Sequence, residues 1–177
     1  VNKDAFNVRE KLSELDYGHV PYEKMPPGSV IQVAHGTYAT EVAVNSNAET
    51  NTGLSATISP RFSSSKILVL VSHDNCEKNG NVNSATRFKL YRQNSAGVQV
   101  DLGTQAGYAN GFISYAMGLN GQTASARFNV NFQFLDAPNT TDSLMYYTNV
   151  NNYVSATGIK VQKDNYPSRM TLMEVAQ

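Results

Sequence analysis

The stretch Lys66-Ile67-Leu68-Val69-Leu70-Val71-Ser72-His73 decides the fold. Five consecutive apolar residues, two of them Val and one Ile, stand between the serine run Ser63 to Ser65 and the polar segment Asp74 to Asn83. A run this short, rich in β-branched residues and bounded by turn formers, reads as a strand buried on both faces rather than as a helix. Such a strand belongs at the centre of one sheet, with a second sheet or a neighbouring subunit over it. The remaining sequence reads as strands added around this one.

Working outward, Val30 to His35 and Thr37 to Val44 are predicted as the first two strands. Leu54 to Ile58 alternates Leu54, Ala56 and Ile58 with Ser55 and Thr57, then stops at Ser59-Pro60. Asp74 to Asn83 is predicted as a loop. Beyond it, Ala85 to Arg92 places Phe88 and Leu90 on one face and Arg87, Lys89 and Tyr91 on the other. Val98 to Leu102 and Gly111 to Met117 follow. The clearest period of two is Ala124 to Phe134, where Ala126, Phe128, Val130, Phe132 and Phe134 oppose Arg127, Asn129, Asn131 and Gln133. Leu144 to Val150, Gly158 to Gln162 and Arg169 to Val175 complete the set. Turn signals recur about every 8–12 residues, the spacing of an all-β antiparallel β-sandwich. The jelly-roll type is the expected winding.

Residues 1–28 differ in kind. Phe6, Val8, Leu12 and Leu15 among Arg9, Glu10, Lys11, Glu14 and Asp16 form one weakly amphipathic helical pattern, with Asp4 as N-cap and Gly18 as stop. Pro21, Pro26 and Pro27 then enforce an extended linker. A helix this short is marginal in water and needs something to dock on. Residues 1–28 are therefore read as a docking arm whose contacts are Phe6, Val8, Leu12 and Leu15, with residues 29–177 as the sandwich domain. A disordered tail is the alternative.

The 177 residues suit one domain with a real core. Only 16% are charged, against about 25% in an average soluble protein; Asn, Ser, Thr, Gln and Gly supply the polar surface instead. Fourteen basic and fourteen acidic residues balance to zero, which argues against nucleic acid or an anionic membrane as a charge-selected partner. The single cysteine, Cys76, excludes an internal disulfide and a cysteine metal cluster. No apolar run approaches the ~20 residues of a membrane helix, so no membrane insertion is expected, and Val1 to Asp4 opens no secretory signal. A start at Val fits either removal of an initiator Met or a fragment.

Signatures of chemistry are sparse. There is no Gly-x-Ser-x-Gly elbow and no phosphate-binding loop. His73-Asp74-x-Cys76, with His35 as a distant third group, is an incomplete zinc ligand set, so no metal or cofactor is expected. Glycoside cleavage needs two carboxylates ~5–9 Å apart, and nothing selects a pair among Glu41, Glu49, Asp74, Glu77, Asp101, Asp136 and Asp142. Asn139-Thr140-Thr141 fits a glycosylation acceptor, a triplet that also arises by chance. More informative are Tyr108, Tyr115, Tyr146, Tyr147, Tyr153 and Tyr166 beside Asn110, Asn149, Asn151, Asn152 and Asn165. Rigid tyrosines with adaptable amides suit protein or sugar recognition. Equally, the tyrosines fit packing in the sandwich with hydroxyls at its rim.

The ordered string Pro27-Gly28-Ser29-Val30-Ile31-Gln32-Val33, Leu54 to Pro60, Ser63 to Val69, Arg87 to Arg92, Phe134 to Pro138 and Met170 to Val175 resembles a domain of bacteriophage virion proteins. Tail fibres and related surface proteins of marine and cyanobacterial phages carry it, and the resemblance covers about residues 27–177. It implies a non-enzymatic β-sandwich that forms a homotrimer on the virion surface, in contact with other virion proteins of the capsid shell or the tail. Arg61-Phe62 departs from the small polar residues usual there, implying an extra contact at that strand end. With an arm and no shaft upstream, a chain of this size is expected to be a capsid decoration (cement) protein. The alternative is the receptor-binding tip of a tail fibre that recognises a host surface glycan or protein. In that case Tyr108 and Tyr153, on Gly- and Asn-rich loops, are the expected receptor contacts. An enzyme acting on host polysaccharide is a minor third class. The position of the trimers on an intact particle, shell or tail, separates the first two.

Overall fold

A computed structural model of the chain describes residues 21–44, 47–78, 84–105, 113–117, 126–152 and 158–177. The helix predicted over Phe6 to Leu15 lies outside these residues. Among the described residues there are eleven strands: β1 (Val30–Tyr38), β2 (Val42–Val44), β3 (Thr50–Ile58), β4 (Lys66–Lys78), β5 (Ser84–Asn94), β6 (Gln99–Asp101), β7 (Ile113–Met117), β8 (Ala126–Asp136), β9 (Leu144–Asn152), β10 (Ile159–Val161) and β11 (Ser168–Val175). The first sheet runs β1-β11-β4-β10-β2, with β8 on the other edge of β4. The second runs β3-β9-β5-β6, with β7 also on β5. Every pairing is antiparallel. The fold is an antiparallel β-sandwich whose chain crosses repeatedly between the sheets, in the manner of a jelly roll.

β4 is the centre of the first sheet. β8 pairs with it from Ile67 to Lys78, while its other edge meets β11 over Lys66–Ser72 and β10 at Glu77 and Lys78. The strand runs on through Asp74 to Lys78, where its polarity predicted a loop. A bulge between His73 and Cys76 makes this happen: Asn75 takes φ 52°, its N–H donates to Asn129 Oδ1 at 2.9 Å and its Nδ2 to the Lys163 carbonyl at 2.6 Å. Polar residues lie well in a strand whose neighbours satisfy them. Upstream, the predicted break at Gly36 is absent. β1 continues to Tyr38, because Gly36 permits a close approach that any side chain would block, its Cβ colliding with the Ser55 carbonyl of the facing sheet.

The predicted faces hold. Phe88 and Leu90 point inward from β5, and Phe128, Val130, Phe132 and Phe134 from β8. The interior has two apolar halves. One gathers Leu54, Ile58, Ile67, Val69, Val71, Leu90, Tyr146, Met170 and Leu172; the other gathers Val44, Cys76, Phe88, Val130, Val150, Ile159 and Val161. Between them lies a polar layer. On β4 it is His73, between Val71 and Cys76; on β9 it is Thr148, between Tyr146 and Val150.

Burial of β4 on both faces is corrected for the single chain. Ile67, Val69, Val71 and His73 are buried, whereas Leu68 and Leu70 are half-exposed on the outer side. The second sheet covers only the inner face.

The linker predicted to be extended around Pro21 to Gly28 contains a short 3-10 turn, Tyr22–Lys24. It joins the sandwich where Gly28 N–H donates to the Ala176 carbonyl at 2.9 Å, and Ala176 N–H donates to the Ser29 carbonyl at 2.9 Å. The Arg61 guanidinium lies 4.3 Å from the Tyr22 ring centroid, a cation–π contact. The backbone N–H groups of Arg61 and Phe62 donate to Glu174 Oε1 at 2.8 and 3.2 Å. Arg61-Phe62 thus makes added contacts, Arg61 with Tyr22 ahead of the domain and both backbone N–H groups with Glu174 of β11.

Candidate functional site

Strand alternation gives each sheet an outer face, and the two differ. On the first sheet, the register aligns Val33 with Met173, Met173 with Leu68 and Leu68 with Leu135. Four adjacent strands thereby present one apolar row to the outside. Val33 is 58% exposed and Leu135 49%, with Val30 at 47% nearby; Met173 and Leu68 are half-buried between them. Exposed apolar residues scattered singly mean little, but a contiguous row marks an interaction surface. Beside the row, an open cleft of about 650 Å³ has Leu70 in its lining, with His35, Asn131, Gln133, Arg169 and Thr171 around it. Arg169 Nη1 meets Asp74 Oδ2 at 2.6 Å.

The outer face of the second sheet is polar. Lys89 Nζ binds Glu49 at 2.7 Å and Asp101 at 3.2 Å. Tyr91 donates its hydroxyl to Glu49 Oε2 at 2.7 Å, and Asn149 Nδ2 donates to the same oxygen at 3.2 Å. Burial alone would raise the Glu49 carboxyl, but the hydrogen bonds from Lys89, Tyr91 and Asn149 together outweigh it and hold Glu49 below its ordinary range. Tyr91 stacks on Tyr147 with ring centroids 5.3 Å apart.

Two polar ties join the sheets inside. At one, Arg92 of β5 binds both oxygens of Asp136 of β8, at 2.7 and 2.9 Å, and Tyr146 donates its hydroxyl to Asp136 at 2.7 Å. The other is a directed hydrogen-bond chain through the polar layer. Gln162 Nε2 donates to Ser168 Oγ at 3.0 Å, and Ser168 lies 3.2 Å from His73 Nδ1. His73 Nε2 lies 3.1 Å from Thr148 Oγ1, which is 2.6 Å from Thr52 Oγ1, and Thr52 reaches the Thr148 carbonyl at 3.1 Å. With Ser168 donating to Nδ1 and Nε2–H donating to Thr148, each hydroxyl and ring hydrogen along the chain has an acceptor. The ring is neutral in that arrangement, as its burial favours by bringing the His73 pKa down to about 3.

His73 is thus committed to structure. Of the incomplete ligand set read in the sequence, Asp74 pairs with Arg169 on the outer face. Cys76 lies buried, its Sγ 3.8 Å from the His73 carbonyl; burial, then Asp74, push its thiol up to about 12. His35 is exposed and bonds Thr171 Oγ1 at 3.2 Å. The four groups do not converge. Phe6, Val8, Leu12 and Leu15 of the arm, and Tyr108 and Tyr153 of the expected receptor contact, lie outside the described residues. Of the other tyrosines, Tyr146 belongs to the core, Tyr147 turns to the outer side of the second sheet but is buried there against Tyr91, and Tyr166 is exposed.

No family model and no curated protein matches the chain. Among solved structures it is similar to the VP2 subviral particle of infectious bursal disease virus, with TM-score 0.45, 11% identity and coverage of 89% of this chain. The chain spans 37% of that protein's length. It is also similar to the CBM22-1 xylan-binding domain from Paenibacillus barcinonensis, with TM-score 0.35, 9% identity and coverage of 86% of this chain and 99% of that one. The Eiger TNF of S. frugiperda matches with TM-score 0.38, 10% identity and coverage of 86% and 95%. At these values none of the three bears on function.

The apolar row was missed in the sequence, although a signal was there. Three strands break the period of two with adjacent apolar pairs: Ile67-Leu68 in β4, Phe134-Leu135 in β8 and Leu172-Met173 in β11. In each pair the first residue faces in and the second out, which is how both faces of a sheet come to be apolar.

Proposed function

We propose that this chain is a non-enzymatic bacteriophage virion structural protein, a homotrimeric capsid decoration protein that assembles through the outer face of its first sheet. The observation carrying the reading is the row Val33, Met173, Leu68 and Leu135, an apolar surface that the described residues leave uncovered. Turned toward a common axis, three copies of that face bury it, and the zero net charge puts no repulsion in the way. The resemblance of the strand string to phage virion domains supports the same reading. Residues 1–28 attach the trimer to the shell, with Phe6, Val8, Leu12 and Leu15 as contacts.

Two measurements test this. Light scattering of the intact protein at micromolar concentration should give a trimer, and Val33→Lys with Leu135→Lys should give a folded monomer. A monomeric parent, or a double variant that remains trimeric, overturns the assembly surface. Deletion of residues 1–28 should abolish binding to purified particles while the trimer persists. Retained decoration would place the attachment surface on the sandwich.

A further inference from the structure

The second sheet carries a different kind of surface. On its outer face an open cleft of about 370 Å³ falls at the small end of the ~300–1,000 Å³ usual for ligand sites. Its polar lining includes four side-chain amides, from Asn51, Gln93, Gln99 and Asn149, together with Glu49, and Tyr147 forms an apolar wall. The register brings these groups together: Gln93 faces both Met145 and Gln99, while Asn149 faces Asn51. Three features select the ligand's chemistry.

First, each amide carries a donor and an acceptor side by side. A vicinal diol offers the same pair at matching spacing. Asn149 is the most telling of the four: its Nδ2 is held by Glu49, while its enclosed Oδ1 has no hydrogen-bond partner among the described residues. Second, the charge balance rejects anions. Lys89 is held between Glu49 and Asp101, so two carboxylates stand against one ammonium and no free cation among the described residues faces the cleft. Third, the groups are set on rigid strands. Tyr147 is fixed by its stack on Tyr91, and Asn51 Oδ1 accepts the Gly53 N–H at 2.7 Å, so little entropy is lost on binding. A peptide adding to a sheet needs a free edge, whereas this cleft lies on the face.

We propose that the amide-lined cleft on the outer face of the second sheet binds a short segment of a neutral oligosaccharide. The site is independent of the trimer surface, which lies on the opposite sheet, and a decoration protein assembled through the first sheet leaves it open to the medium.

The test is isothermal titration of the intact protein with three neutral hexasaccharides, of glucose, mannose and galactose, and with an oligogalacturonate as the acidic arm. At least one neutral sugar should bind with millimolar or tighter affinity and the oligogalacturonate should not. Gln93→Ala and Gln99→Ala, both at the surface, should each weaken binding at least about fivefold with unchanged melting. Gln133→Ala, in the cleft of the first sheet, should leave it unchanged. No heat with any neutral sugar at about 10 mM overturns the proposal. So does tighter binding of the acidic sugar, or a loss of affinity in Gln133→Ala that the Gln93 and Gln99 variants lack.

Discussion

Across the outer face of the first sheet one row reads Val33, Met173, Leu68, Leu135; across the second, the register places Ser55, Tyr147, Tyr91 and Asp101 in one row. Both rows cross four antiparallel strands, and both sheets send similar aliphatic and aromatic residues to the shared core. They differ only in what the alternate positions carry. The first leaves apolar area in water, which costs about 25 cal/mol for each Å² and is recovered when a partner covers it. The second satisfies its groups locally, with Lys89, Glu49, Asp101, Tyr91 and Asn149 bonded to one another. One sandwich can therefore present an apolar outer face and a polar one without any difference in backbone.

This contrast requires that both faces belong to one cooperative body, and acid tests that most severely. His73 is neutral when folded, with a pKa near 3 against an ordinary 6.5. Below 6.5 the unfolded chain takes up a proton that the folded chain refuses, so the stability His73 contributes is complete above pH 6.5 and falls as pH drops toward 3. The slope is about 1.4 kcal/mol per pH unit and the full loss at most about 5 kcal/mol. Glu49 and Glu41, held low in the fold, add their losses only below their ordinary 4.5. Urea midpoints should therefore decline between pH 6.5 and 4.5 in the parent and stay level in His73→Leu. Separate transitions for the two sheets would break the comparison.

Arg92→Met comes next. It strands Asp136, which is 3% exposed, and leaving a buried charge without its partner costs about 3–5 kcal/mol. Chemical denaturation should show the loss at neutral pH, with Asp136→Asn in the same background recovering part of it. A change under 1 kcal/mol would mean that water reaches the tie and the sheets are less tightly joined.

Leu70→Asp measures the first face directly. Because Leu70 is half-exposed in the single chain, the isolated fold should lose only about 1–2 kcal/mol, while light scattering shows the trimer gone. A variant that stays trimeric would show that the face is not the assembly surface. The smallest effect belongs to the second face. Lys89→Met should cost about 1 kcal/mol or less, as partly exposed ion pairs do, and 1 M salt should shrink the difference. A larger cost than that of Leu70→Asp would reverse the assignment of the two faces.

Much of the fold was readable from local pattern. Period-two alternation in β5 and β8, and the apolar run in β4, place the strands and their inward faces, because side-chain direction along a strand is set by the backbone alone. The bulge at Asn75 was not readable, since it depends on Asn129 and Lys163, remote residues that satisfy it. The Tyr/Asn signal was legible as composition only. Which way its members turn follows from the alternation within β9: Tyr147 and Asn149 point to the outer side, Tyr146 inward. That Gln93, Gln99 and Glu49 meet them depends on strand pairing.

What the sequence determined by itself is the class: strand after strand around an apolar core. These rest on interactions between residues a few positions apart, which spacing records. Tertiary structure alone decided that His73 bridges the sheets through Ser168 and Thr148, and that four apolar residues from four strands form one row. It also decided that an amide cleft lies on the opposite face. Each depends on residues 75 to 140 positions apart, and sheet register, a property of paired strands and not of either strand alone, sets their distances.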